Sequence, residues 1–171
     1  MRAPATEALR PLAGWPAPLS AILLAAWIGA ALYFSVVVTR AAFAVLPSRT
    51  MAGALVGQTL PVLFDTGMLI GAILIGAALF SPPGRARTAL LVGGAAIIAL
   101  GALARFVVLT RIAHLRLSMP AAIDSLPVGD PARRAFGQLH AMSVGALGLA
   151  MLVGVIVAIV LVRSLSTVPH E

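Results

Sequence analysis

Apolar residues run along this chain in four long stretches, each broken only by isolated polar positions and each ended by proline, glycine, serine or arginine. The first runs from Leu19 to Leu46 and stops at Pro47-Ser48-Arg49. The second runs from Gln58 to Phe80 and meets Ser81-Pro82-Pro83-Gly84-Arg85. The third covers Thr88 to Ala113, with a helical continuation to Leu117, and the fourth covers Phe136 to Val162. Each reaches the ~20 residues that a helix needs to cross a bilayer. A backbone in hydrocarbon must satisfy its own hydrogen bonds, so helices follow. The pattern predicts an all-α, integral membrane, antiparallel four-helix bundle over residues 19–163. An N-terminal leader (1–18) precedes it and a short tail (164–171) follows.

Small residues supply packing surfaces at four-residue spacing. They are Ala21, Ala25 and Gly29, with Ala26 and Ala30, on the first span; Gly67 with Gly71 and Ala72 with Gly76 on the second; and Gly137, Ala141 and Gly145 on the fourth. Such ridges let helix backbones approach closely in lipid.

Composition agrees with the pattern. The 171 residues are 61% hydrophobic and 10% charged, with a mean hydropathy of +1.07, more apolar surface than a soluble domain of this size can hide. The net charge of +7 comes from twelve arginines, with no lysine. These punctuate the apolar runs and form no basic stripe with interleaved aromatics, which argues against nucleic acid. With the abundance of Ala and Gly, the all-arginine usage points to a GC-rich bacterial genome and an inner-membrane location. Cysteine is absent, which removes thiolate catalysis, disulfides and Cys-based metal sites. Arg2, Arg10, Arg85, Arg87 and Arg163 lie on the terminal side, and Arg49, Arg111, Arg116, Arg133 and Arg134 on the other. With so even a split the positive-inside rule favours neither orientation, and cytoplasmic termini are only a working assignment.

Against this background four ionisable residues stand out: Arg40, Asp65, Arg105 and His140. Charges inside membrane segments are costly and mark a function or a pairing. Asp65 lies seven residues into the second span, roughly 10 Å at about 1.5 Å per residue. Arg105 lies at a similar depth before Arg111, and antiparallel helices bring all four residues near one membrane face. Tyr33, Val36, Val37 and Arg40 share a stripe that turns Arg40 toward neighbouring helices. Gln58, Pro61 and Asp65 share another, and Gly101 leaves room one turn before Arg105. Asp65 neutralises Arg105 or Arg40 and fixes register; the second arginine is then left for an anion, a lipid phosphate or a water-filled vestibule. Snorkelling of both arginines to the interface is the remaining alternative. His114 and His140 flank the longer loop, and two imidazoles with Met119 or Met142 nearby can ligate haem or copper, although no further ligand set stands at a recognisable spacing. His170 reads as solvated. Asp124 and Asp130, beside Pro and Gly, read as turn or cap residues.

Several strings then resemble the transmembrane protein 205-like family (domain of unknown function 4149). They are Val45-Leu46-Pro47-Ser48-Arg49-Thr50 with Gly53, followed by Leu60-Pro61-Val62-Leu63-Phe64; Ala104-Arg105-Phe106 with Thr110-Arg111; and Phe136-Gly137-Gln138-Leu139-His140-Ala141-Met142-Ser143. The last looks like the family's F-x-x-x-H-x-x-S stretch. The resemblance implies a four-helix membrane protein of unestablished biochemistry and singles out Pro47, Arg49, Gly53, Pro61, Arg105, Arg111 and His140. Arg40 and Asp65 match no family position.

No nucleophile–base–acid set, phosphate-cradling loop or HExxH is present. The expectation is therefore a non-enzymatic membrane protein without a cofactor, acting as an accessory or scaffold subunit with a membrane-protein partner or as a homo-oligomer. The alternatives are a transporter or anion/lipid-binding protein using Arg40, Arg105 and His140, and a haem- or copper-binding subunit.

Overall fold

The computed structural model describes residues 16–118, 125–127 and 129–166. They form four long helices: α1 (Pro16–Val45), α2 (Arg49–Leu79), α3 (Arg85–Leu117) and α4 (Pro131–Ser166). All four are long and apolar enough to span a membrane, which marks a multi-pass membrane protein. They run antiparallel, each packed on its sequence neighbours, with α1 closing the ring on α4.

One rule of spacing builds the core. On α2 the inward positions are Leu60, Phe64, Gly67, Gly71, Leu74 and Ala78, separated alternately by four and three residues. On α4, Ser143, Leu147, Ala150, Gly154, Val157 and Leu161 repeat that alternation. Ser20, Leu24, Trp27, Ala31 and Phe34 do so on α1, and Leu90, Gly94, Ile97, Gly101, Ala104 and Val108 on α3. Such seams give the shallow crossing angles of coiled-coil-like bundles.

Two contacts hold this core together. The first is between α2 and α3, where a Cβ on Gly94 would lie 2.6 Å from the Gly71 carbonyl oxygen, and a Cβ on Gly71 would lie 2.8 Å from that of Gly94. Only two glycines permit this backbone approach. The second is Trp27, 4% exposed, whose Nε1 donates to the Leu63 carbonyl at 3.0 Å. Its ring fills the space that a side chain on Gly67 would occupy. Of the small-residue ridges, Gly67 and Gly71 pack in this way, whereas Gly29, Gly76, Gly137 and Gly145 have open space where a Cβ would be.

All four helices start earlier than the hydropathy predicts, α1 at Pro16 (inside the expected leader) and α3 at Arg85 by three residues each, and α2 and α4 by more. α2 begins at Arg49, not Gln58, because Ser48 caps it: its Oγ accepts from Met51 N at 3.2 Å. α4 begins at Pro131, with Asp130 Oδ1 accepting from Ala132 N at 2.7 Å. Proline in the first turn needs no intrahelical donor, so cap and proline cooperate. Asp124 and the tail beyond Ser166 lie outside the described residues. Ser48→Ala should cost about 1 kcal/mol of stability, read as an earlier midpoint in detergent-induced unfolding.

α1 and α3 each contain one π-helical stretch, Phe34–Val38 and Leu103–Val108. In the first, Thr39 N and Thr39 Oγ1 both donate to the Phe34 carbonyl, five residues back, the side chain at 3.0 Å. α2 and α4 have none. An extra residue per turn rotates everything beyond it by about 100° relative to a regular helix, which decides what faces inward at that end.

Candidate functional site: a cationic vestibule at one end of the bundle

At the end of the bundle where α1 meets α2, all four helices border an open cavity of about 660 Å³. Its origin is the α2 seam. Continued outward from Leu60, the same alternation falls on Gly57 and Gly53, so the bulk that closes the core runs out. Arg116 of α3 takes part of the space. Its two terminal nitrogens come within 3.3 and 3.4 Å of where Cβ atoms on Gly57 and Gly53 would sit.

The π turn in α3 brings Arg116 there. A regular continuation of the α3 seam past Val108 would turn Arg111 and Leu115 inward. With the extra residue, Ile112 and Arg116 line the cavity and Arg111 and Leu115 do not. On α1, likewise, Thr39 lines the cavity and Ala42 is buried. The α4 seam, extended outward from Ser143, gives His140 and Phe136, both in the cavity wall.

The polar groups form a connected set. The Arg116 guanidinium lies over the Phe136 ring, 5.3 Å from its centroid, a cation–π contact joining α3 to α4. Phe136 in turn stacks on His140, with centroids 6.1 Å apart and planes 10° from parallel. Arg49 and Thr50 border the cavity from the first turn of α2, and Gln58 stands further along it. A cation in the first turn opposes the helix dipole, so Arg49 adds positive potential where the helix already supplies some. Pro61 has no N–H, so the Gly57 carbonyl in the cavity wall lacks its usual helical donor. Ser143 is fully buried, and its Oγ has no hydrogen-bond partner among the described residues. A buried hydroxyl left this way is costly and marks a place where a ligand or water belongs. Among the described residues two arginines and no carboxylate line the cavity.

Of the four ionisable residues that the sequence singles out, only His140 is in this cavity. Asp65 and Arg105 pair with each other outside it: Arg105 Nε donates to Asp65 Oδ1 at 3.2 Å and reaches Oδ2 at 3.5 Å. Asp65 is 51% exposed and Arg105 34%, in the outer groove between α2 and α3. Because α2 begins at Arg49, Asp65 lies sixteen residues along it, about 24 Å from that end rather than roughly 10 Å. Arg40 is exposed on the outside of α1, as are Tyr33, Val36 and Val37, because the α1 seam occupies the opposite side. The room beside Gly101 is taken by Met68, whose Cγ would lie 2.8 Å from a Cβ there. His114 is exposed and does not line the cavity, and Met119 lies outside the described residues.

Arg116, Arg49, Gln58 and Ser143 line the cavity outside that set of four, Arg49 being one of the positions that the resemblance singles out. The heptad alternation running from Ala78 down to Gly53 was available as a signal, as was the i, i+4, i+7 spacing of Phe136, His140 and Ser143.

The family model described as Domain of unknown function (DUF4149) matches residues 22–121, which takes in most of α1 and the whole of α2 and α3. No curated protein and no solved structure matches the chain.

Proposed function

We propose that this chain, which belongs to the family of Domain of unknown function (DUF4149), is a membrane protein that binds an anionic group in the vestibule. The observation that carries the reading is the pairing of two arginines with a buried Ser143 hydroxyl, which among the described residues meet no carboxylate in the wall and no hydrogen-bond partner respectively. A guanidinium offers five donors and fits phosphate or carboxylate oxygens, and a hydroxyl turns to donate to the same anion. Phe43, Val56, Leu60, Leu109 and Ile112 add apolar wall. An amphiphilic anion, charged at one end and greasy at the other, is the chemical class that suits both surfaces.

The role is binding or carriage rather than catalysis. Among the described residues no nucleophile–base pair stands in the wall: Ser143 has no hydrogen-bond partner and His140 stacks on Phe136. The Phe136–Ser143 stretch, which carries the finer likeness to the transmembrane protein 205-like proteins, lies beyond the matched residues yet faces the vestibule. That likeness and a bacterial inner-membrane location form part of the same proposal.

Titration of the protein in nanodiscs with phosphatidic acid, and separately with inorganic phosphate, tests it. Arg116→Gln should weaken binding about 10–100-fold, the loss of a charge-assisted contact. Arg163→Gln, at the opposite end of α4, should leave it unchanged. Binding of the lipid alone identifies a membrane-derived ligand, and binding of both a soluble one. Wild-type protein that takes up neither anion, or Arg116→Gln with unaltered affinity, overturns the reading.

A further inference from the structure

The vestibule leaves one polar feature unused. Asp65 sits near the midpoint of α2 and pairs with Arg105 on the outside of the bundle, at a depth where hydrocarbon is the expected neighbour. Thr66, beside Asp65, already donates to its own helix, to the Val62 carbonyl at 2.6 Å and the Leu63 carbonyl at 3.1 Å. Arg105 donates only through Nε, and its guanidinium lies over the neighbouring Phe106 ring, 5.6 Å from its centroid; among the described residues its two terminal nitrogens have no hydrogen-bond acceptor. Asp65 Oδ2 has only the long 3.5 Å contact. A guanidinium and a carboxylate side by side thus keep most of their donors and acceptors free where water is scarce.

The pair is electrically neutral, so it draws neither a counter-ion nor a charged lipid head group. It is also self-complementary. A two-fold rotation about an axis along the membrane normal sets each Asp65 against the Arg105 of the other copy, so the unused nitrogens meet the unused oxygens. Isologous contacts of this kind are the commonest route to a dimer. Exposed Val62 and Leu69 on α2, and Phe106 on α3, supply an apolar rim around the polar centre. We propose that the α2–α3 groove around Asp65 and Arg105 is the contact face of a homodimer within the membrane.

The absence of cysteine makes the test direct. Single cysteines are placed at Val62 or Leu69, flanking Asp65, and at Leu152 on the exposed face of α4 as a control. Oxidative cross-linking of the full chain in lipid vesicles should give a dimer from Val62→Cys or Leu69→Cys and not from Leu152→Cys. Adding Asp65→Arg should lower that yield about tenfold, because four cations then meet at the centre. A mixture of one chain carrying Asp65→Arg with another carrying Arg105→Asp should restore it, since each copy then presents a single sign to its partner. No cross-link at either groove position, equal cross-linking at Leu152, or cross-linking in native membranes to a protein of another size overturns the proposal. So does a yield indifferent to Asp65→Arg. The cysteine map decides the matter even where a charge-reversed chain does not fold.

Discussion

Gly94→Val should unfold the α2–α3 half of the bundle, at a cost of at least about 3 kcal/mol, the upper part of the range for overpacked sites. Overpacking is often relieved when a flexible side chain moves aside. Here the obstacle is the Gly71 carbonyl oxygen, which would lie 2.6 Å from the new Cβ and belongs to the α2 backbone. Relief therefore requires the helices to separate, and separation also loosens Leu74, Leu90 and Ile97, which are buried beside the crossing. Helix packing in lipid gains no hydrophobic transfer term, so close contact is a large share of what holds the pair together. Unfolding by sodium dodecyl sulfate, followed by circular dichroism or protease sensitivity, provides the measurement. Gly76→Val is the control: the same helix class and substitution, but open space around the site, so a change within about 0.5 kcal/mol is expected. Equal losses at the two positions would show that helix propensity, not the crossing, sets the effect.

Trp27→Ala is expected to be the next most damaging change, at about 3–5 kcal/mol. Trp27 packs on Gly67 from α1, its side chain is almost entirely buried, and its indole N–H donates across to α2. Truncation leaves a void that the flanking seam residues cannot fill without shifting α1. The hydrogen bond is the smaller part: Leu63 O also accepts from Thr66 Oγ1 at 3.1 Å, so Trp27→Phe should cost only about 1 kcal/mol. The two substitutions compared in one unfolding series separate ring packing from the polar contact. If Trp27→Phe is as damaging as Trp27→Ala, the hydrogen bond rather than the ring holds α1 in place.

The fold was legible because hydropathy and proline placement are unambiguous in a chain this apolar. The Asp65–Arg105 pair was legible for a related reason: one acid among apolar residues has few basic partners to choose from. Helix starts were not, since Arg49–Gly57 follows Pro47-Ser48 and carries Arg49, Thr50 and two glycines, and only the Ser48 cap shows that α2 runs through it. The small-residue ridges overpredicted close approaches because Gly29, Gly76 and Gly145 fit the spacing but have open space where a Cβ would be. Arg116 escaped notice for a geometric reason. Constant 3.6-residue periodicity assigns the inward face beyond Val108 to Arg111 and Leu115, and no residue type announces a π turn. Counting charges in the apolar runs therefore led to Arg40 and Arg105, both outside the cavity, and past Arg116 within it.

The placement of the two π turns also bears on how the vestibule can change shape. Each lies between the buried seam and the cavity wall, one in α1 and one in α3, while α2 and α4 run through unbroken. A surplus residue in a helix can migrate along it, one hydrogen-bonded register giving way to the next, without moving the segment on the core side. Two walls of the chamber are therefore anchored and two can be re-indexed. A shift of either π turn by one register would turn a residue such as Thr39 or Arg116 by about 100° into or out of the chamber.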